Sequence, residues 1–178
     1  MYNVIKQYIN TAGEFSTVAS GNIMINVPGV VLKDVTINGD LIVGDGVGDG
    51  NVILDNITVN GRLLVRGGGL NSVIIIGGSI KGKVVIAKVN GNVRVSAVGG
   101  ADVDVITVED GRDTVIIEGT VGNVEIKEPN IPVTVQNATI NDIKVRCDGS
   151  AYITVSNSGN VRNIIIADNA KRSFFNIN

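Results

Sequence analysis

The feature that most constrains this chain is a near-copy of one stretch 22 residues further on. Residues 30–43 read VVLKDVTINGDLIV and residues 52–65 read VILDNITVNGRLLV. A fixed repeat of this length decides the architecture before any single residue is weighed. The first strand of the unit starts at Val30, Val52, Val73, Val93, Val115, Val133 and Ile153. Aligned independently, the last strand starts at Leu41, Leu63, Val84, Val103, Val124, Ile143 and Ile164. Each series spans 123 residues in six steps, close to 20.5 per repeat.

Between these two strands lies a third short run: Val35-Thr36-Ile37, Ile57-Thr58-Val59, Ser79-Ile80, Thr120-Val121 and Ala138-Thr139-Ile140. Gly39, Gly61, Gly82, Gly122 and Asn141 follow it, which predicts a corner with positive φ at that point. Strands of three or four residues are too short for a free-standing hairpin. Stacked, each pairs with its own copy one repeat earlier and later, as in a solenoid. The expectation is an all-β, right-handed parallel β-helix of about seven to eight rungs, since parallel crossovers are right-handed in almost all cases.

Composition agrees. The chain has 178 residues, 44% hydrophobic and only 3% aromatic, so its core must be built from Val and Ile, which favour strands. Without a composition break, one domain is expected, with residues 23–178 as the β-helix and residues 1–22 as a cap or leading strand. Val4, Ile5, Tyr8 and Ile9 have the spacing of a short amphipathic helix over the open end. Phe174, 21 residues after Ile153, marks the start of the next first strand.

Several chemistries are excluded. The sequence has no His, which removes the commonest general base and metal ligand, and with them Ser–His and Cys–His nucleophiles. Cys147, the one cysteine, alternates with Ile143 and Val145 and is expected to be a buried, inert thiol. A net charge of -2 argues against nucleic acid as a partner. No apolar run is long enough to span a membrane, and the N-terminus lacks the apolar core of a secretion signal. The expectation is a chain that is kept inside the cell or is a domain of a longer secreted protein.

Three features invite a functional reading. The loop Gly44-Asp45-Gly46-Val47-Gly48-Asp49-Gly50 offers two carboxylates and free carbonyls, so Asp45 and Asp49 are candidate calcium ligands, against a simple flexible turn. Asp104 and Glu125 are expected at one outward position of the last strand, where stacked like charges raise a pKa, as a candidate cation or acid/base site; a solvated acidic face is the competing reading. An ice-binding face would need a broad Thr ladder, whereas Thr36, Thr58, Ser79, Thr120 and Thr139 are one residue wide and interrupted at the fourth rung.

The outward columns carry the sharpest clue. The first strands place Val31, Ile53, Ile74, Arg94, Ile116, Thr134 and Thr154 outward; the last strands place Ile42, Leu64, Val85, Asp104, Glu125, Lys144 and Ile165 outward. The first three rungs are apolar on both columns. A monomer rarely leaves so much apolar surface open, so Val31, Ile42, Ile53, Leu64, Ile74 and Val85 are candidate contacts in a homo-oligomer. Phe174 and Phe175 are candidates for end-to-end stacking.

Residues 40–76 carry a Gly/Asp-rich loop, a strand, the pattern D/N-x-V/I-T-V-x-G, a strand and R-G-G-G-x-N-S. Asp55, Ile57, Thr58, Val59, Gly61, Arg66–Gly69, Asn71 and Ser72 are the matching residues. This run resembles a β-helix repeat domain of surface-layer-associated and other cell-surface proteins of Gram-positive bacteria. The resemblance covers roughly residues 30–125. It implies a non-catalytic structural module at the cell surface, with no catalytic residues to carry over. Two rival readings remain: a carbohydrate-binding adhesin module, and a polysaccharide-active enzyme. The first needs a groove with aromatics, and Tyr2, Tyr8, Phe15, Tyr152, Phe174 and Phe175 sit only towards the two ends.

Overall fold

A computed structural model describes residues 4–156, 158–168, 170 and 172–177. All its strand pairings are parallel, and they wind into a β-solenoid of about 8 turns. Each turn has three faces. The first face stacks Gly13–Phe15, Val30–Lys33, Val52–Asp55, Ile74–Ile76 and Val93–Val98. The middle face stacks Thr36–Ile37, Thr58–Val59, Ser79–Ile80 and Asp102–Val103. The third face stacks Ile5–Ile9, Asn22–Ile25, Leu41–Val43, Leu63–Val65, Val84–Lys88 and Val105–Gly111. Beyond these, Val115–Ile126 and Pro132–Val145 each run through all three faces as single bent strands. Ser150–Ser156 and Arg172–Ile177 complete the first face; Asn160–Ile166 completes the third.

Alternation sends every second residue inward, and the inward columns are almost wholly Val, Ile and Leu. One column runs unbroken along the third face: Ile9, Ile25, Val43, Val65, Ile86, Val108, Ile126, Val145 and Ile166. Cys147 is fully buried, and burial raises its thiol pKa above the ordinary value. Among the described residues no helix is long and apolar enough to cross a membrane.

Five expectations need correction. Ile5–Ile9 is a leading strand paired with Asn22–Ile25, not a helix; a parallel edge satisfies its backbone, which a single helical turn would not. Val93 is not level with Val73. Ile74 lies opposite Ser96, so the strand slips by two residues, and an even slip leaves inside and outside unchanged and so invisible in the pattern. Arg94 therefore starts a separate outward column with Ile116, Thr134 and Thr154. Val103 belongs to the middle face opposite Ile80, and Ile106 holds the third-face position between Val84 and Val124. Phe175, not Phe174, faces Ile153; Phe174 faces Tyr152.

The fifth correction concerns the glycines after the middle run. Gly39, Gly61, Gly82 and Gly122 do not have positive φ. They are needed for closeness: a Cβ on Gly61 would lie 2.5 Å from the Gly39 carbonyl oxygen, and one on Gly82 would lie 2.5 Å from that of Gly61. The left-handed corner sits earlier, between the first and middle faces, at Asp34, Asn56, Gly77, Gly78, Gly99, Gly100, Gly119, Asn137 and Ser158. Asn and Asp tolerate that region because their short side chains bond locally. Here the Asn56 amide donates to Asp34 Oδ1 at 2.7 Å, linking successive corners.

Candidate functional site

The loops between the third and first faces gather on one corner and form an open hollow. Its volume is about 480 Å³, and Asp45, Gly48, Asp49, Arg66, Lys88, Val89 and Asn90 line it. The loop after Val43 makes a single 3₁₀ turn over Asp45–Val47, whose Val47 side chain drops into the core. The next loop fits against it without room for side chains: a Cβ on Gly67 would collide with the Gly44 carbonyl, and one on Gly69 with that of Asp49. Gly68 has φ 107° and donates its N–H to the Gly48 carbonyl at 2.8 Å. Ser72 is fully buried and its Oγ accepts from the Gly69 N–H at 2.7 Å. The Arg-Gly-Gly-Gly…Ser pattern is thus a packing and capping device for this corner.

Both candidate calcium ligands lie on this hollow, and each faces a cation from a later rung. Arg66 Nη2 is 2.8 Å from Asp45 Oδ2. Lys88 Nζ is 2.6 Å from Asp49 Oδ1, and it also donates to the carbonyls of Gly68 at 2.6 Å and Asn92 at 3.1 Å. Lys88 is only 5% exposed. An ammonium with three oxygen acceptors is fully satisfied, and it ties together loops from three successive rungs. Calcium needs six to eight oxygens, and the described residues hold no group of three or more acidic, Cys or His side chains that could take a metal. The oxygen set at this corner fits the protein's own ammonium better than a calcium ion.

Asp104 and Glu125 are not brought together in one column. Thr107, fully buried, occupies the position opposite Glu125, while Asp104 sits at the corner beside Asn123. Glu125 instead pairs with Lys83 at 3.0 Å across the rung carrying Thr107, and this hydrogen bond holds its carboxyl below the ordinary value. The same inter-rung stapling recurs. Asp40 accepts from Arg62 at 2.8 Å, which raises the guanidinium pKa, and Glu118 accepts from Arg94 at 3.0 Å and from Gln136 at 2.7 Å. Asp102 fills the interruption in the Thr column and accepts from Ser79.

Of the candidate contact residues, Val31, Ile42, Ile53, Leu64 and Ile74 are half-buried against their own column neighbours, and Val85 is 8% exposed. They offer less open surface than the pattern suggested. Phe174 and Phe175 are 50% and 41% exposed at the carboxy-terminal coil. Phe174 stacks on Tyr152 with ring centroids 5.0 Å apart and planes 7° apart. Sequence reasoning placed Ile165 outward without naming it as a contact, and it passed over Ile166 and Ile177, exposed at the same end, and the pairing of Arg66 and Lys88. The signal for the staples was present: opposite charges 21 and 39 residues apart, near one and two repeats. Tyr2 lies outside the described residues. Comparison with family models, curated proteins and solved structures returned no match.

Proposed function

We propose that this chain is a non-catalytic scaffolding solenoid that self-associates and serves in a cell-surface assembly. The observation that carries the reading is how the charged side chains are used. Asp40, Asp45 and Asp49 each pair with a cation on a later rung, and Glu118 and Glu125 with one on an earlier rung, so their charge goes into holding rungs together. A general acid or base needs a proton site open to substrate. Outward-facing Tyr152, Ile165 and Phe174, 40%, 48% and 50% exposed, support self-association, and the half-buried apolar columns of the first three rungs add to that surface. The resemblance of residues 40–76 to surface-layer-associated repeats supports the surface setting.

Light scattering with negative-stain imaging tests it, with calcium and with a chelator. The expected result is a mass above that of one chain, unchanged by chelator. A monomer at every micromolar concentration, or turnover of acidic glycans by the wild-type chain, would sink the reading. One observation favours the carbohydrate-binding alternative: the exposed Tyr152–Phe174 pair. Glycan binding abolished by Phe174→Ala would turn the reading that way.

A further inference from the structure

We propose that the third face binds a carboxylated polysaccharide, laid diagonally over the rungs from Arg62 to Arg146. The site does not depend on self-association. Register puts the cations of this face on two lines. Arg62 and Lys83 stand just before Leu63–Val65 and Val84–Lys88, on neighbouring rungs. Lys127 and Arg146 stand just after Ile126 and Val145, again on neighbouring rungs. The lines are about 13 Å apart along the strands, and Arg62 and Arg146 are about 19 Å apart along the solenoid. The cations lie further out than the carboxylates that hold them. The Arg62 side chain is 52% exposed against 11% for Asp40, and Lys83 and Arg146 are 46% and 56% exposed against 16% for Glu125. Lys127 is 41% exposed, beside an equally open Glu109. Asp40 is taken up by the Arg62 backbone N–H at 2.7 Å and its guanidinium at 2.8 Å. Lys83 and Lys127 each direct one N–H to a carboxylate, and an ammonium has three. The outer layer of this face is therefore rich in donors, and its acceptors are used beneath.

Thr107 lies at the centre of this diagonal. It faces outward, because Ile106 and Val108 on either side of it are core residues, yet it is fully buried. Its Oγ1 has no hydrogen-bond partner among the described residues. Lys83, one rung before, reaches across it to Glu125, one rung after. A buried hydroxyl left unpaired is costly, and this one points at the path the cations mark. A ligand oxygen drawn in by Lys83 satisfies it: the ammonium turns outward from Glu125, which keeps Arg146 at 3.9 Å. Leu64 and Val85, the preceding members of the same outward column, supply an apolar floor for the C–H face of a sugar ring. The ligand class follows from charge density. A uronic-acid chain carries one carboxylate per ring, so its charges recur on the scale of the rungs. The protein's net charge of -2 disfavours the denser charge of a nucleic acid.

The test measures binding at low salt, by calorimetry, of polygalacturonate, its methyl ester and duplex DNA. The chains compared are wild type, Lys83→Gln with Lys127→Gln, Thr107→Val, and Lys33→Gln on the first face. The expected wild type binds polygalacturonate, ignores the ester, and binds less tightly as salt rises. The double variant should bind about tenfold more weakly, with a salt slope smaller by up to about one unit for each cation removed. Thr107→Val should fold no less stably, since it loses an unpaired hydroxyl, and should bind several-fold more weakly. Lys33→Gln should bind like the wild type. A wild type that binds no polygalacturonate, or binds the ester equally well, overturns the proposal, as does wild-type affinity in the double variant or in Thr107→Val. Tighter binding of DNA overturns the ligand class. Should the double variant unfold, acetylation of the wild type decides. Polygalacturonate that slows the reaction of Lys83 and Lys127 but not of Lys33 supports the site, and equal rates with and without it overturn it. Failure here leaves the scaffolding reading standing.

Discussion

Ile9 and Ile166 are the two ends of one column, the same residue type at the same register position, yet one is 2% exposed and the other 46%. Strand propensity does not separate them. What differs is what lies beyond. At the amino-terminal end a polar side chain, Gln7, occupies the adjacent inward position and bonds across the coil to the loop before Asn22–Ile25. At the carboxy-terminal end the adjacent first-face strand offers Phe175 and Ile177, which have no polar group to bond across the opening. A solenoid buries each rung with the next, so its interior is guaranteed by repetition and its ends are not.

Substitutions along that column sharpen the contrast, and the largest effect belongs in its middle. Ile86→Ala, between Val65 and Val108, should cost about 2–5 kcal/mol in chemical denaturation, since both neighbouring rungs are fixed and cannot collapse into the cavity. Lys88→Met, two residues along, should cost about 1–3 kcal/mol, because the Gly68 and Asn92 carbonyls lose their donor and three loops lose their common tie. Calcium titrated by calorimetry into the wild type should give no heat, and restored uptake in Lys88→Ala would show that the ammonium stands where a cation can bind.

Glu125 gives the pH arm. Its carboxyl is held below the ordinary value of 4.5 by Lys83, so the stabilisation is present above that value and is lost as pH falls through the lower folded one. Lys83 is largely solvated, so the contribution is at most about 1 kcal/mol. Denaturation of Glu125→Gln and wild type should differ above pH 5 and converge only as pH falls through the lowered folded pKa of Glu125; parallel profiles would remove the pair from the account. The smallest effect should be Ile166→Ala, under about 1 kcal/mol at dilutions where the chain is monomeric, read by hydrogen exchange of Asn160–Ile166. A cost equal to that of Ile86→Ala would break the contrast, because it would mean that the last coil is as well covered as the middle.

The sequence by itself determined the solenoid, its period, its three short runs per turn and the Val/Ile interior. It did so because a parallel stack repeats one residue environment at one spacing, and alternation writes inside and outside directly into the text. It also placed Ile42, Leu64 and Glu125 in the third-face outward column, where they stand. Tertiary structure decided what depends on length along a strand. The two-residue slip that sets Ile74 opposite Ser96 preserves alternation, so no pattern of apolar residues could reveal it. Val103 was drawn to the wrong face because Ala101-Asp102-Val103 lacks the Thr that marks the middle run elsewhere. The partners of Asp45 and Asp49 likewise came from one and nearly two repeats away, and only the stacking of loops brought Arg66 and Lys88 onto them. Repetition fixes which residues face the core, but the turns between strands fix how far each rung slides over the last, and that sliding decides which charges meet.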